Sequence, residues 1–210
     1  MLTLYRAEPA QPKEHNPLDR RPPQNVPYVV DNLWEWARPK GMPSRRGCEY
    51  ASPDAASAKA SATRSNLQLY RLFLRPEAVA VQIVGSDAKE HADIKVQKGV
   101  PRQTTVVKTL FELLNQHHTA PAYPSWASQP VLLKLAAAPL FLPVLSRKEL
   151  KLLLGPGGPL ADIAEKLRQE IDFWNGAKRI DFSAADFPNG LGEVFFKAGA
   201  VERKELVQEV

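Results

Sequence analysis

The alternation of apolar and polar positions predicts most elements of the chain. Leu2 to Arg6 alternates and reads as a terminal strand. Cys48-Glu49-Tyr50-Ala51-Ser52 reads as a second strand, with Ser52 the expected cap of a helix from Asp54 to about Ala62 and Pro53 in its first turn. That helix is alanine-rich, so it can lie close against a neighbour. Leu67 to Leu74 and Val79 to Val84 are β-rich runs joined by Arg75-Pro76-Glu77-Ala78, and Asp93 to Val96 is a further candidate strand. After residue 103 the period becomes helical: Val106, Val107, Leu110, Phe111 and Leu114 share one face, as do Leu160, Ile163, Leu167, Ile171 and Trp174. Ser146-Arg147-Lys148-Glu149 has the form of a capping box, which predicts a helix from Lys148 to Leu154 before Gly155-Pro156-Gly157-Gly158. Glu193 to Lys197 is the last expected strand. Near the N-terminus, Val26 to Val30 suggests a short strand, with Asp31 capping a helical turn through Trp36.

Strands, a small helix, more strands, a helical block and a closing strand describe an α+β chain. The expectation is one domain over residues 1–210, with 103–180 a mainly helical insertion. The 19 prolines gather before residue 54 and between Pro121 and Pro159, so the run from Pro9 to Pro27 is expected to be a long loop or lid.

Composition narrows the function. With 44% hydrophobic and 24% charged residues, the chain has the balance of a globular protein. Its longest apolar stretch, Val131 to Leu145, is interrupted by Lys134, Pro139 and Pro143 and is shorter than the roughly 18 residues of a spanning helix, so no membrane partner is expected. No signal-like segment opens the sequence. Together with a single cysteine, Cys48, this makes the cytoplasm the expected compartment, with export by a signal-free route left open. The net charge of +5 favours acidic partners, but the basic pairs are scattered and no nucleic-acid motif surrounds them, so nucleic acid is weakly indicated. Metal ligation is not expected, since His117 and His118 are adjacent and His15 and His91 lack spaced companions.

Three blocks carry candidate chemistry. A strand ending in Leu4-Tyr5-Arg6 can present a guanidinium fork to a diphosphate. Ser44-Arg45-Arg46-Gly47 leads into Tyr50-Ala51-Ser52-Pro53, offering cations, an aromatic face and a hydroxyl. Gly190-Leu191-Gly192-Glu193 places a carboxylate behind glycines that permit close approach.

In this order the blocks resemble the ADP-ribosyltransferase-fold family: Leu4-Tyr5-Arg6 is similar to its first-strand arginine motif, Tyr50-Ala51-Ser52-Pro53 to its aromatic-x-serine motif, and Gly192-Glu193-Val194 to its late glutamate. Leu4-Tyr5-Arg6 followed by Arg45-Arg46 and Tyr50-Ala51-Ser52 also resembles the NAD-consuming bacterial RES-domain toxins. The resemblance implies a split antiparallel sheet and a metal-free NAD cleft. In it Glu193 would be catalytic, while Arg6, Arg45, Arg46, Tyr50 and Ser52 would bind NAD, the substrate. It further implies an ADP-ribosyltransferase or NAD glycohydrolase, a bacterial toxin or effector with a macromolecular acceptor and an immunity or antitoxin partner. The competing expectation is a non-enzymatic interaction protein using a degenerate cleft of the same fold, with Leu140-Phe141-Leu142 as a candidate surface.

Overall fold

A computed structural model describes residues 3–9, 26–61, 67–84, 91–94, 105–116, 134–182, 192–197 and 199–207. The expected loop over 10–25, together with Lys95, Val96, His15, His117, His118, Gly190 and Leu191, lies outside them. The chain is α+β, with two antiparallel sheets and several helices. It divides into two compact units, one formed by Met1–Arg21, Lys40–Ala88 and Gly176–Val210, the other by Pro22–Pro39 and Lys89–Asn175.

The first unit holds the sheets. Strands β1 (Thr3–Pro9), β3 (Leu67–Leu74) and β7 (Val201–Leu206) form a three-stranded sheet in the order β1-β3-β7. Strands β2 (Cys48–Ala51), β6 (Val194–Lys197), β4 (Ala80–Ile83) and β5 (Ala177–Arg179) form a four-stranded one in that order. Among the described residues the sheets meet at one antiparallel bridge, where Tyr5 and Ser52 exchange both backbone hydrogen bonds at 2.8 Å. Leu4, Leu72 and Leu74 from one sheet and Ala51, Val194 and Phe196 from the other share one buried core. Burial of such side chains contributes about 1.5–3 kcal/mol each. Helix α2 (Ala55–Ala60) follows β2, and its cap is Asp54 rather than Ser52: the Asp54 carboxylate accepts from the Ser57 amide at 2.8 Å. Ser52 has its backbone committed to Tyr5, so the cap falls two residues later. Strands β5 and β7 lie outside the sequence expectation because short, charged segments give little apolar alternation.

The second unit contains α1 (Tyr28–Ala37), α3 (Thr105–Gln116), α4 (Arg147–Leu154) and α5 (Ala161–Gln169). Val26–Val30 is not a strand. Helix α1 begins at Tyr28, and Asp31 lies within it with its amide bonded to the Pro27 carbonyl at 3.0 Å. The reason is the longer-range pattern: Val30, Leu33 and Trp34 recur at helical spacing and are all buried, which outweighs the β preference of two valines. The capping box forms as read, with Glu149 N donating to Ser146 Oγ at 3.2 Å and Ser146 N donating to Glu149 Oε2 at 2.6 Å. The helical period expected through Trp174 stops at Gln169; Trp174 instead turns its indole N–H onto the Trp34 carbonyl at 2.7 Å.

Two buried polar residues organise this unit. Asp93 is placed in a 3-10 turn (Ala92–Ile94) rather than a strand, and its carboxylate accepts from Trp34 Nε1 at 2.8 Å, Phe173 N at 3.1 Å and Asp172 N at 3.3 Å. Asn32 donates to the carbonyls of Leu140 and Leu142 and accepts from Leu145 N, holding a turn in which Val144 adopts the left-handed φ of 56°. The stretch around that turn is mixed: Leu140 is buried, whereas Phe141 and Leu142 are exposed.

Candidate functional site

The β2–β6 pairing sets the geometry. Tyr50 lies opposite Phe195 and Ala51 opposite Val194; carried one residue past the paired strands, that register would set Ser52, which bridges to Tyr5, across from Glu193. Residues directly opposite share a face and alternate positions switch face. Tyr50, Glu193 and Phe195 therefore occupy one face of the four-stranded sheet, while Ala51, Val194 and Phe196 point to the core. Gly192 enters β6 with φ 118°, a conformation costly for any residue with a Cβ, and the Glu193 carbonyl is then fixed by the Ile83 amide at 2.9 Å.

Arg45 completes this face. It starts a 3-10 turn (Arg45–Gly47) immediately before β2, closed by Gly47 N donating to Ser44 O at 3.2 Å. Its Nη2 donates to Glu193 Oε1 at 2.9 Å, and the two side chains are only 8% and 12% exposed. At that distance and burial the contact is a charge-assisted hydrogen bond, largely shielded from water. The guanidinium carbon stands 5.1 Å from the Tyr50 ring centre and 5.9 Å from that of Phe195. The Tyr50 hydroxyl donates back to the Arg45 carbonyl. Carboxylate, guanidinium, phenol and ring thus form one network.

Arg6 is not part of it. Strand alternation puts Arg6 on the side of β1 that carries Leu4, facing the core, where its Nη1 bonds Glu49 Oε2 at 2.8 Å and its Nε lies 3.1 Å from Glu8 Oε1. Lys204 joins the same cluster through Glu8 and lies over the Tyr70 ring. Arg6 is 31% exposed, so this cluster borders solvent. Arg46 is buried. Of the six residues singled out in the sequence, Arg45, Tyr50 and Glu193 are brought together, Ser52 follows β2 and bridges to Tyr5, and Arg6 has two carboxylates of its own.

Phe195 belongs to the face and was not singled out beforehand, although the two-residue step from Glu193 carries the signal. Nothing in the sequence marks Arg45 as the partner of Glu193. Two concavities of about 510 and 580 Å³ lie elsewhere, the first beside Glu77, Arg179 and Phe182, the second beside Trp36, Lys151 and Arg168. Among the described residues no group of three His, Cys, Asp or Glu side chains is placed to hold a metal ion, and no helix is long and apolar enough to cross a membrane. No family model, curated protein or solved structure matches the chain.

Proposed function

We propose that the chain is an NAD-consuming enzyme, an ADP-ribosyltransferase or NAD glycohydrolase, with Glu193 as its catalytic carboxylate. The observation that carries this reading is Glu193 bonded to Arg45 against the rings of Tyr50 and Phe195, on the strand pair next to the Tyr5–Ser52 bridge between the two sheets. A split antiparallel sheet with Tyr50, Ser52 and Glu193 lining one NAD cleft is what the family resemblance implies.

The chemistry suits the side chains. The bond between ribose C1′ and the nicotinamide nitrogen breaks, the electron pair leaves with nicotinamide, and the ribose becomes oxocarbenium-like. Glu193 stabilises that positive charge more than it stabilises the bound substrate, which is the condition for catalysis. Tyr50 supplies an aromatic face and Ser52 a hydroxyl for the ribose. Water then adds at C1′ and loses a proton, or an acceptor nucleophile does so. Arg6, on the other side of the sheet layer, serves the diphosphate only by exchanging Glu49 for it.

Nicotinamide release from NAD by pure protein tests the reading. Release in buffer indicates hydrolysis, and release only with added cell lysate indicates transfer to a macromolecule. Absence of both NAD binding and release rejects the enzyme and favours a second reading, an interaction protein. That alternative draws support from the exposed Leu135, Phe141, Leu142 and Leu152 of the helical unit.

A further inference from the structure

The geometry points to Arg45 as a positioning residue for Glu193, and not as a binder of the NAD diphosphate. This inference rests on the NAD-consuming reading and adds to it a role for the cation bonded to the carboxylate.

Three separate contacts fix Arg45. Its guanidinium is bonded to Glu193 Oε1 at 2.9 Å, it lies against the rings of Tyr50 and Phe195, and its carbonyl receives the Tyr50 hydroxyl. A diphosphate anchor must present its N–H fork to a large, hydrated anion. At 8% exposure Arg45 presents little surface, and an anion that captured it would have to break its bond to the 12%-exposed Glu193. Arg6, at 31%, is far more accessible. Arg45 is therefore placed to orient the carboxylate and to be oriented by the rings, which also ties Tyr50 to the same rigid unit. Its influence on catalysis passes through Glu193, and a misplaced carboxylate loses stabilisation of the cationic ribose without loosening the bound dinucleotide.

A double-mutant cycle on nicotinamide release separates the two roles. The variants are Arg45→Gln, Arg45→Lys, Glu193→Gln and the double variant Arg45→Gln/Glu193→Gln, each measured for kcat and for KM of NAD. As a positioning residue, Arg45→Gln lowers kcat by roughly 10–10²-fold with KM unchanged. The double variant then turns over no more slowly than Glu193→Gln alone, and Arg45→Lys recovers part of the loss. A raised KM at parental kcat, or a double variant slower than Glu193→Gln by the full factor lost in Arg45→Gln, overturns the inference while leaving the NAD reading standing. A parent that neither binds nor cleaves NAD removes both. If Arg45→Gln fails to fold, the cycle is run with Arg45→Lys, which keeps the charge, and the same comparison decides.

Discussion

Arg45 and Glu193 stand 148 positions apart in the chain and meet at 2.9 Å on the same sheet face. The contact closes a loop of chain from the turn before β2 to the first residue ahead of β6, the two strands that lie side by side. Each partner is largely buried, so the bond sets opposite charges together where little water reaches them. The pair is accordingly a feature of stability as well as of the candidate site.

Removal of one partner should therefore cost more than removal of both. Arg45→Met leaves a buried carboxylate and is expected to destabilise the protein by about 3–5 kcal/mol. Arg45→Met/Glu193→Gln removes the carboxylate's charge as well and should recover much of that loss. Urea denaturation of the parent, Arg45→Met and the double variant measures it; a double variant less stable than Arg45→Met would show that the pair is not what is being broken.

Glu193→Gln keeps size and hydrogen-bonding capacity and removes the negative charge. Calorimetric NAD affinity should survive while nicotinamide release falls by about 10²–10³-fold, the usual effect of losing one electrostatic contact to the transition state. Turnover at the parental rate would dismiss Glu193 as the catalytic carboxylate.

Asp93 is the corresponding hub of the helical unit, 3% exposed and accepting three N–H groups. Asp93→Ala leaves the Trp34 indole and two backbone amides without their acceptor. Unsatisfied buried donors cost roughly 1–3 kcal/mol each, so a loss of about 3 kcal/mol or more is expected. Trp34 also stacks on Phe173 at 4.0 Å, so tryptophan fluorescence should report the loosened unit. A melting curve indistinguishable from the parent's would contradict this account of the hub.

The features legible in the sequence were those set by local chemistry. Ser146 and Glu149 satisfy each other's amides within four residues, so their box could be read without a fold. Glu193 is marked by the glycines before it, and Tyr50 by the basic turn that leads into its strand. Tertiary partners were not legible. Val26–Val30 looked like a strand because its valines are β-branched, and only burial of Leu33 and Trp34 in the folded unit decides for helix. Strand β7 is mostly charged, and it is recognisable only through its pairing with β3. That Arg45 would face Glu193, and Arg6 would face Glu49, depends on register across strands far apart in sequence.

Acid titration should expose the cap of α2. Hydrogen bonds from Ser57, first through its side chain and then through its amide, lower the Asp54 pKa below the ordinary aspartate value. Because the folded value is the depressed one, the stabilisation is fully present above the unfolded pKa and disappears as pH falls through the folded pKa. Asp54→Ala should cost about 1 kcal/mol at neutral pH, and the gap from the parent should narrow on acidification. Thermal unfolding at a series of pH values follows the difference, and a gap that is constant into the acid range would exclude the carboxylate as the cap.

The last expectation concerns Arg6, whose guanidinium is shared between Glu8 and Glu49. If the diphosphate of NAD is its ligand during turnover, Glu49 is a competitor for the same donors. Glu49→Gln should then lower KM for NAD, and Arg6→Ala should raise it. The pair is partly exposed, and such pairs contribute at most about 1 kcal/mol, so the shift from Glu49→Gln should not exceed roughly five-fold. In both variants kcat should stay near the parental value, because Arg6 touches the acidic cluster and not Glu193. Equal KM in the parent and both variants would leave Arg6 as a structural ion pair and place the diphosphate elsewhere. A fall in kcat with Arg6→Ala would instead mean that the two faces are coupled, which the separation of Arg6 from the Arg45–Glu193 network argues against.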